Sequence, residues 1–250
     1  MSFDVTATAY DRFMGRFSRP LASVFAYWAS PLHGDDALDV GCGPGALTEL
    51  LVDHLGAEHV AAVDPSPRFV AAARERLPDI DVHLASAEDL PFADDTFDAT
   101  LSSLVVHFMT DAALGVREMV RVTRGGGLVA ACVWDMEGAR APHSVFLRAV
   151  REESGAPQRL RPGTRRGDLA TLLRAAECVD VDETELTVEA SYEDFDEWWD
   201  VHTLGVGSSG GALETLDTAA VERVRRSALD VVGPGPITVS ATAWAARGRA

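Results

Sequence analysis

Short apolar runs alternate with helical patterns between residues 37 and 133, and this alternation constrains the fold more than any other feature. The first run, Ala37–Val40, stops at a glycine-rich turn, and Ala46–Leu55 then carries leucine at helical spacing. Further strands are predicted at Val60–Val63, Val82–Ala85, Ala99–Ser103 and Leu128–Val133. Helices are predicted at 65–77 and Asp111–Val122, and a turn at Arg124–Gly127. Strands and helices that alternate at this pitch form a parallel sheet with helices on both faces.

After residue 133 the pattern changes. Helices are predicted at Pro142–Glu153, Asp168–Ala176, Asp194–Trp199 and Leu213–Leu229, and strands at Val179–Val188 and 236–246. Two late strands with helices between them indicate an antiparallel end to the sheet and a helical insertion. The expected fold class is therefore α/β, with a seven-stranded, mostly parallel sheet, helices on both faces, an antiparallel last strand and a helical lid insertion.

Composition and charge limit which binding partners and which cellular location are expected. The 250 residues, 47% of them hydrophobic, suffice for one core with room for a lid. The formal net charge is -17, and a strongly acidic surface repels phosphate backbones, so nucleic acid is not an expected partner. No apolar run reaches the roughly 18 residues that span a bilayer, and the N-terminus lacks the basic start of a signal peptide. We expect a cytoplasmic protein without membrane insertion.

The three cysteines, Cys42, Cys132 and Cys178, are scattered and odd in number. Their spacing matches no metal-ligand pattern. They are expected to be reduced, mostly buried thiols in a cytoplasm, and no metal site is expected. The sequence makes no prediction of oligomeric state.

The stretch "LDVGCGPGALT", residues 38–48, places three glycines and a proline between the first strand and the first helix of the sheet. A glycine-rich turn at this point lets a ligand approach the main chain closely. Gly41, Gly43 and Ala46 fit the dinucleotide pattern G-x-G-x-x-A, and Asp64 follows at the end of the second strand. A nicotinamide cofactor therefore stays open at this point.

Three features favour a ligand without phosphate. Asp39 lies within the end of the first strand, where a pyrophosphate would meet an anion. Pro44 removes one backbone N–H that a pyrophosphate cradle would use. A third polar stretch, "SAEDLPF" at 86–92, follows the third strand.

The motifs "DVGCGPG", "VDPS", "AEDLPF", "FDATLSSLVVHF" and "VREMVRVTRGGG" resemble those of class I S-adenosylmethionine-dependent methyltransferases, in order and in spacing. The resemblance covers Ala37–Val133 and is greatest to the small-molecule subgroup that includes the ubiquinone and menaquinone C-methyltransferases. The opening "AYDRFMGRFSRPLA" and the closing "ITVSATAWAARG" also resemble that subgroup. It implies a Rossmann-like sheet and S-adenosylmethionine as the cofactor.

The resemblance also implies which residues bind the cofactor. An acidic group and carbonyl oxygens suit the ammonium of its amino-acid tail, and a carboxylate suits its ribose hydroxyls. The family often has Asp at the position of Ser86, to hold the exocyclic amine of adenine, and Glu88 is expected to compensate. The implied contacts are Asp39, Gly41, Cys42 and Gly43 for the tail, Asp64 and Pro65 for the ribose, Ser86, Ala87 and Glu88 for the adenine, Ser102, Ser103 and Leu104 for the methionine portion, and Tyr10 and Arg16 for the carboxylate.

Methyl transfer is an in-line displacement on an already activated cofactor, so the protein mainly positions the acceptor and excludes water, without a metal. His107 is the candidate for acid–base catalysis, because it follows the fourth strand at the end of the sheet where ligands bind. A packed or acceptor-orienting histidine is the alternative. His143 and His202 are further candidates with the same ambiguity.

The chain is expected to be a single domain over residues 1–250, with an N-terminal helical cap at 1–30, a cofactor-binding core at 36–134 and a helical lid insertion at 190–231. From their positions, the aromatic and apolar residues around the substrate are expected to be Tyr10, Phe13, Met14 and Phe17 of the cap, Trp134 and Met136 after the fifth strand, and those of Trp198–Leu204 in the lid. An aromatic lining suits a mid-sized apolar or aromatic acceptor.

The predicted function is methyl transfer from S-adenosylmethionine to a small-molecule acceptor that is natural-product- or quinone-like. A methyltransferase acting on RNA or protein is one alternative, although the N/D-P-P-Y/F signature of nucleobase amino-methylating enzymes is absent because the fourth strand ends in "SSLVVH". A non-catalytic cofactor-binding protein or a nicotinamide-dependent protein is another. The sequence identifies neither the acceptor nor the atom that is methylated.

Overall fold

A computed structural model describes residues 11–204 and 211–250. Its sheet has seven strands in the order β3-β2-β1-β4-β5-β7-β6. The strands are β1 (Ala37–Val40), β2 (Val60–Asp64), β3 (Asp81–Leu84), β4 (Phe97–Ser103), β5 (Thr123–Trp134), β6 (Val179–Tyr192) and β7 (Ile237–Arg249). Strands β1 to β5 pair in parallel, whereas β7 is antiparallel to both β5 and β6. The predicted mixed sheet with an antiparallel last strand is confirmed.

Helices cover both faces of this sheet. They are α1 (Arg16–Ala29), α2 (Ala46–Leu55), α3 (Pro67–Arg76), α4 (Ala112–Val122), α5 (Ser144–Ser154), α6 (Asp168–Ala175), α7 (Phe195–His202) and α8 (Thr218–Val232). A π-helical segment, Asp11–Gly15, precedes α1, and short 3₁₀ turns lie at Ala57–His59 and Val106–Phe108.

The two faces form separate cores because side chains alternate along the strands. On β5, Ala130 and Cys132 join a core with residues from α1, α2, α5, α7 and α8. Val129 and Ala131 point to the opposite core, which includes residues from α4 and α6. The N-terminal helix and the insertion between β6 and β7 therefore share one face of the sheet.

Local side-chain caps explain where several helices begin. Asp111 accepts a hydrogen bond from Leu114 N at 2.9 Å and starts α4. Asp194 does the same for Glu197 N at 2.9 Å and starts α7. Asp217 accepts from Ala220 N at 2.7 Å, so α8 begins at Thr218 and not at residue 213 as predicted.

The predicted turn at Arg124–Gly127 is wrong, because these residues belong to β5. The pairing with β4 shifts register between Phe97 and Ala99, which marks a bulge. Gly126 has φ +82°, and its N–H donates to Ala250 O at 2.8 Å. Glycine allows this backbone conformation, so the strand continues to pair with the end of β7 instead of turning away.

Cys42, Cys132 and Cys178 are free and buried, as predicted. Across 11–204 and 211–250 no helix is long and apolar enough to cross a membrane. The same residues contain no cluster of three or more ligating side chains that suits a metal ion.

Candidate functional site

The glycine turn after β1 combines a packed side and an open side. Gly41 N and Cys42 N both donate to Val63 O, at 2.8 and 2.9 Å, and this fixes the turn against β2. A Cβ on Gly41 would overlap the side chain of Val105, so this glycine serves packing. A Cβ on Gly43, which has φ +56°, would meet no atom within 4 Å. Among the three glycines of this turn, Gly43 alone has bare backbone that faces open space, as a ligand site requires.

A cavity of about 40 Å³ lies between this turn, α1 and the end of β4. It brings together six of the predicted cofactor residues with small residues of α1, which the sequence analysis did not identify. The lining is Ser18, Ala22, Asp39, Gly41, Cys42, Gly43, Pro44, Ala46, Leu47, Ser103 and Leu104. Ser18 and Ala22 are four positions apart, so they lie on one face of α1 and let that helix approach the turn closely.

Asp39 is a buried acid at the base of the cavity, with 1% of its surface exposed. Thr48 Oγ1 donates to its carboxylate at 2.7 Å. Burial, with a smaller contribution from the nearby Asp64 carboxylate, raises the pKa of Asp39 to about 7 despite this hydrogen bond. The sequence analysis missed Thr48, although its position in the first turn of α2 directly above β1 is a usable signal.

Asp64 ends β2 and is also buried. Its two carboxylate oxygens accept hydrogen bonds from Gly43 N at 2.9 Å and from Ser66 N at 2.8 Å. Burial raises the pKa of Asp64, and these backbone bonds oppose the shift. Each oxygen keeps a free lone pair, so the carboxylate can accept two further hydrogen bonds from a ligand. Pro65 is exposed beside it.

The polar side chains of the third stretch, residues 86–92, bond to one another and to neighbouring protein groups. Ser86 Oγ donates to the carboxylate of Glu88. The other oxygen of Glu88 accepts from Thr110 N at 2.7 Å and Asp111 N at 3.3 Å, which ties the loop after β3 to the start of α4. Burial raises the pKa of Glu88, but these hydrogen bonds outweigh it and the pKa is lowered. The side chains of Ser86 and Glu88 thus bond to neighbouring protein groups, and Ala87 between them is buried.

The end of β4 contributes one structural and two cavity residues. Ser102 Oγ donates to Val40 O at 3.0 Å inside the core, so this hydroxyl joins β4 to β1 and does not line the cavity. Ser103 and Leu104 do line it. Leu104 has φ +64°, a conformation that a branched residue adopts only under constraint. Its N–H donates to Cys132 O at 2.8 Å, which holds the strained backbone in place.

His107 lies in the 3₁₀ turn after β4 and is buried. In the described part of the chain, its Nδ1 has no hydrogen-bond partner. Burial, followed by the neighbouring His143 and Arg161, lowers its pKa to about 3. The imidazole is therefore neutral at pH 7 and a weak base, which favours an orienting role over proton removal. His107 does not line the small cavity.

The two residues predicted for the cofactor carboxylate have different outcomes. Tyr10 lies outside the described residues. Arg16 points away from the small cavity: its guanidinium donates to Glu197 Oε1 at 2.5 Å and to Ser191 O at 3.1 Å. It also lies 4.9 Å from the ring centre of Tyr192. Glu197 on α7 supplies an acid within reach, so Arg16 links α1 to the insertion.

An aromatic cluster, defined here as Phe13, His143, Phe146, Tyr192, Trp198 and His202, lies on the same face of the sheet. The ring of His202 is 5.0 Å from that of Phe13 and 4.1 Å from that of Trp198. Its Nδ1 donates to Trp198 O at 2.7 Å. Trp198, predicted as a lid residue, is 1% exposed. The sequence analysis missed Phe146 and Tyr192, which no local motif distinguishes from core residues.

Comparisons with known proteins indicate the family that this chain resembles. Residues 38–131 match a family described as a methyltransferase domain. An uncharacterised methyltransferase of Mycobacterium tuberculosis is 34% identical over 161 residues, which cover 64% of this chain and 63% of that protein. A demethylmenaquinone methyltransferase of Clavibacter sepedonicus is 30% identical over 164 residues, covering 59% of this chain and 64% of the other. The match thus spans less than two thirds of the length of either relative.

A solved structure shows a similar fold over nearly the whole chain. The geranyl diphosphate C-methyltransferase of Streptomyces coelicolor superposes with a TM-score of 0.56 at 15% sequence identity. The superposition covers 94% of this chain and 80% of that one. At this identity the likeness concerns the fold alone.

Proposed function

We propose that the chain is a class I S-adenosylmethionine-dependent methyltransferase and that it transfers the methyl group of that cofactor to a small-molecule acceptor. One observation carries the proposal: the buried carboxylates of Asp39 and Asp64 lie beside the open backbone of Gly43. Two desolvated acids at a glycine turn suit a ligand that is a cation and a diol.

The residues present fit S-adenosylmethionine. Within the described residues, no basic side chain is hydrogen-bonded to Asp39 or Asp64, and burial raises the pKa of both acids, so a cationic ligand would stabilise their ionised form. The cofactor carries an ammonium and a sulfonium, and its ribose presents two hydroxyls to the lone pairs that Asp64 keeps free. A pyrophosphate in the same place would oppose the ionisation of two buried acids and gain no cationic partner from them.

We assign the binding residues accordingly. The proposed contact set is Asp39, Gly41, Cys42, Gly43, Asp64, Pro65, Ala87, Ser103 and Leu104. Ser86, Glu88 and Ser102 become positioning residues, because their side chains bond to neighbouring protein groups. Arg16 leaves the set, since Glu197 holds it.

S-adenosylmethionine, when bound, supplies an activated methyl group. The chain's own residues then have three tasks: to hold the cofactor, to orient the acceptor and to exclude water. Asp64 and the turn do the first. The neutral imidazole of His107 is proposed to hydrogen-bond the acceptor. Helix α1 contributes Ser18 and Ala22 to the lining of the cavity, and we assign to it the task of excluding water.

A small-molecule acceptor is supported by the relatives and by charge. One relative is named for a quinone substrate, demethylmenaquinone. The net charge of -17 disfavours nucleic acid. We further propose the division into a cap at 1–30, a cofactor core at 36–134 and a lid at 190–231, and a cytoplasmic location.

The test is transfer of radiolabelled methyl from S-adenosylmethionine into a cell extract. The proposal predicts that label enters the small-molecule fraction and that Asp64→Ala abolishes most of this incorporation. Asp79→Ala, which changes an exposed acid of the same region, is the matched control. Label in protein or nucleic acid would favour the macromolecular alternative. Cofactor binding without any transfer would indicate a non-catalytic protein.

A further inference from the structure

Helix α1 is apolar on two sides. Its inner side packs Phe17 and Leu21 into the core, where both are fully buried. Its outer side carries Pro20, Val24 and Tyr27, which are exposed and are spaced so that they lie along one face of the helix. A surface helix usually carries charged or polar residues on its outer side, so this side of α1 is suited to being covered.

The exposed apolar residues continue beyond the end of the helix. Tyr27 is 89% exposed, and Leu32, in the loop that follows α1, is 65% exposed. Residues 20–32 contain no charged side chain, although 24% of the whole chain is charged. A group of exposed apolar side chains at one place is typical of an interaction surface.

A groove of about 580 Å³ lies beside these residues, between α1 and the second half of α2. We call it the α1–α2 groove, and its lining includes Ser23, Tyr27, Trp28, Ser30, Leu50 and His54. None of these residues lines the cofactor cavity. Across residues 11–204 and 211–250, no acidic side chain and no arginine lines the groove.

Contacts within the chain hold the walls of the groove in place. Arg247 donates to Trp28 O at 2.6 Å, and its guanidinium lies 4.7 Å from the centre of the Trp28 ring. Nε2 of His54 lies 3.2 Å from Pro31 O. Because a carbonyl only accepts, Nε2 of the neutral imidazole carries the proton and Nδ1 becomes an acceptor. The groove is therefore formed in advance and presents a hydrogen-bond acceptor.

We propose that the α1–α2 groove is a symmetric dimer interface and that its occupant is the Tyr27 side chain of a second copy of this chain. The proposal goes beyond the proposed methyltransferase function and does not depend on it.

The shape of this surface favours a second copy. A two-fold symmetric interface presents the same patch from both subunits, so a projecting side chain and the recess that receives it have to lie on one surface. Tyr27 projects from the rim of the groove that it helps to line. Its ring suits the apolar wall at Leu50, and its hydroxyl can donate to Nδ1 of His54 of the partner subunit.

Charge favours the same occupant. Each copy has a formal net charge of -17, so two copies repel each other over most of their surface. Near the groove, Arg19 pairs with Glu49 at 4.0 Å and Arg247 pairs with Asp182 at 3.8 Å. A face without charges in its recess and with paired charges beside it lets two acidic molecules meet with little repulsion. A cationic partner would find no carboxylate in this lining.

Sedimentation velocity of the full chain, over a range of protein concentrations, measures the dimer. We expect the wild type to convert from monomer to dimer as its concentration rises through the micromolar range. Tyr27→Glu should weaken the dimer about 100-fold or more, because it brings a charge into an uncharged recess. Tyr27→Phe keeps the ring and loses one hydrogen bond, so it should stay within about tenfold of the wild type.

Two further variants complete the experiment. Leu32→Glu places a charge at an independent position beside the groove, and we expect it to weaken the dimer about tenfold or more. Leu114→Glu, at an exposed leucine of α4 on the opposite face of the sheet, is the matched control and should dimerise within about twofold of the wild type. Far-UV circular dichroism checks that each variant is folded.

Four results would overturn the proposal. The first is a wild type that stays monomeric at the highest concentration reached. The second is an unchanged dimer in folded Tyr27→Glu and Leu32→Glu, and the third is a dimer that Leu114→Glu weakens as much as Tyr27→Glu does. The fourth is a monomeric wild type that binds Nile red and loses this binding in Tyr27→Glu, which would assign the groove to a small apolar molecule.

Discussion

Two neighbouring regions at the carboxyl end of the sheet treat their polar atoms in opposite ways. Around the glycine turn the polar side chains are already bonded: Asp64 accepts two backbone N–H groups, Thr48 donates to Asp39, and Ser102 donates to a carbonyl of β1. In the aromatic cluster, His143 and Tyr192 have buried polar atoms with no partner among the described residues.

The difference separates a turn that is organised in advance from a packed aromatic cluster whose polar atoms are unpaired. A ligand at the turn would add contacts to side chains that are already fixed, so binding there would require little rearrangement.

Gly43→Val would break the first region most completely. Its φ of +56° excludes a β-branched residue, and the added side chain would occupy the open space of the turn. We expect affinity for S-adenosylhomocysteine to fall more than about 100-fold by calorimetry, with the far-UV circular dichroism retained. Gly125→Val, at an exposed glycine with open space around it, should bind normally. Normal binding by Gly43→Val would show that the turn is only structural.

Asp39→Asn changes the free energy of unfolding and the cofactor affinity in opposite directions, so it tests the two roles of this acid separately. The pKa of Asp39 rises from 3.8 to about 7 on burial, so the folded state holds a proton that the unfolded state releases. The wild type therefore loses stability as pH rises from about 4 to about 7, and an amide avoids this loss. We expect the variant to gain roughly 2–4 kcal/mol in free energy of unfolding at pH 8 without cofactor, and less near pH 4.

Denaturant unfolding at both pH values measures this gain, and calorimetry should show weaker S-adenosylhomocysteine binding by the same variant. A gain that does not depend on pH would contradict the assignment of a protonated Asp39. Asp79→Asn serves as the exposed control.

Asp64→Ala removes a hydrogen-bond acceptor from the glycine turn. Hydrogen bonds to a charged group contribute about 1.5–3 kcal/mol each, so loss of even one to the ribose predicts about tenfold weaker S-adenosylhomocysteine binding. Asp79→Ala should bind like the wild type. Equal calorimetric affinities for the two variants would remove Asp64 from the site.

Arg16→Gln should have the smallest effect. The ion pair with Glu197 is one-third exposed on both sides, and pairs of this kind contribute at most about 1 kcal/mol to stability. We expect the dissociation constant of S-adenosylhomocysteine to stay within about twofold of the wild type, as for the exposed control Arg117→Gln. A tenfold loss would return Arg16 to the cofactor site and weaken its role as a link to α7.

The sequence brought the residues of the first region together more fully than those of the second, for a physical reason. Asp39, Gly43 and Asp64 lie at or just after strand ends, so the strand pattern and local motifs locate them. The partner of Arg16 lies 181 positions away, and only the assembled fold shows it. The bulge at Gly126 escaped prediction in the same way, because its partner is the last residue of the chain.

The same reason applies to the aromatic cluster. His143 and His202 were candidates without a defined role, since nothing in their local sequence distinguishes a packed imidazole from a binding one. Their convergence with Tyr192 depends on how α7 packs beside β6. Ser86 and Glu88 illustrate the converse: a familiar motif located them, but the contact of Glu88 with the start of α4 sets their orientation.

The central claim is that the turn and its two buried acids hold S-adenosylmethionine and not a dinucleotide. Isothermal titration of the wild-type chain with S-adenosylhomocysteine and, in parallel, with NAD tests it most directly. We expect saturable binding of S-adenosylhomocysteine at one site per chain and no measurable heat of binding for NAD. Saturable binding of NAD, or no binding of S-adenosylhomocysteine to the folded protein, would contradict it.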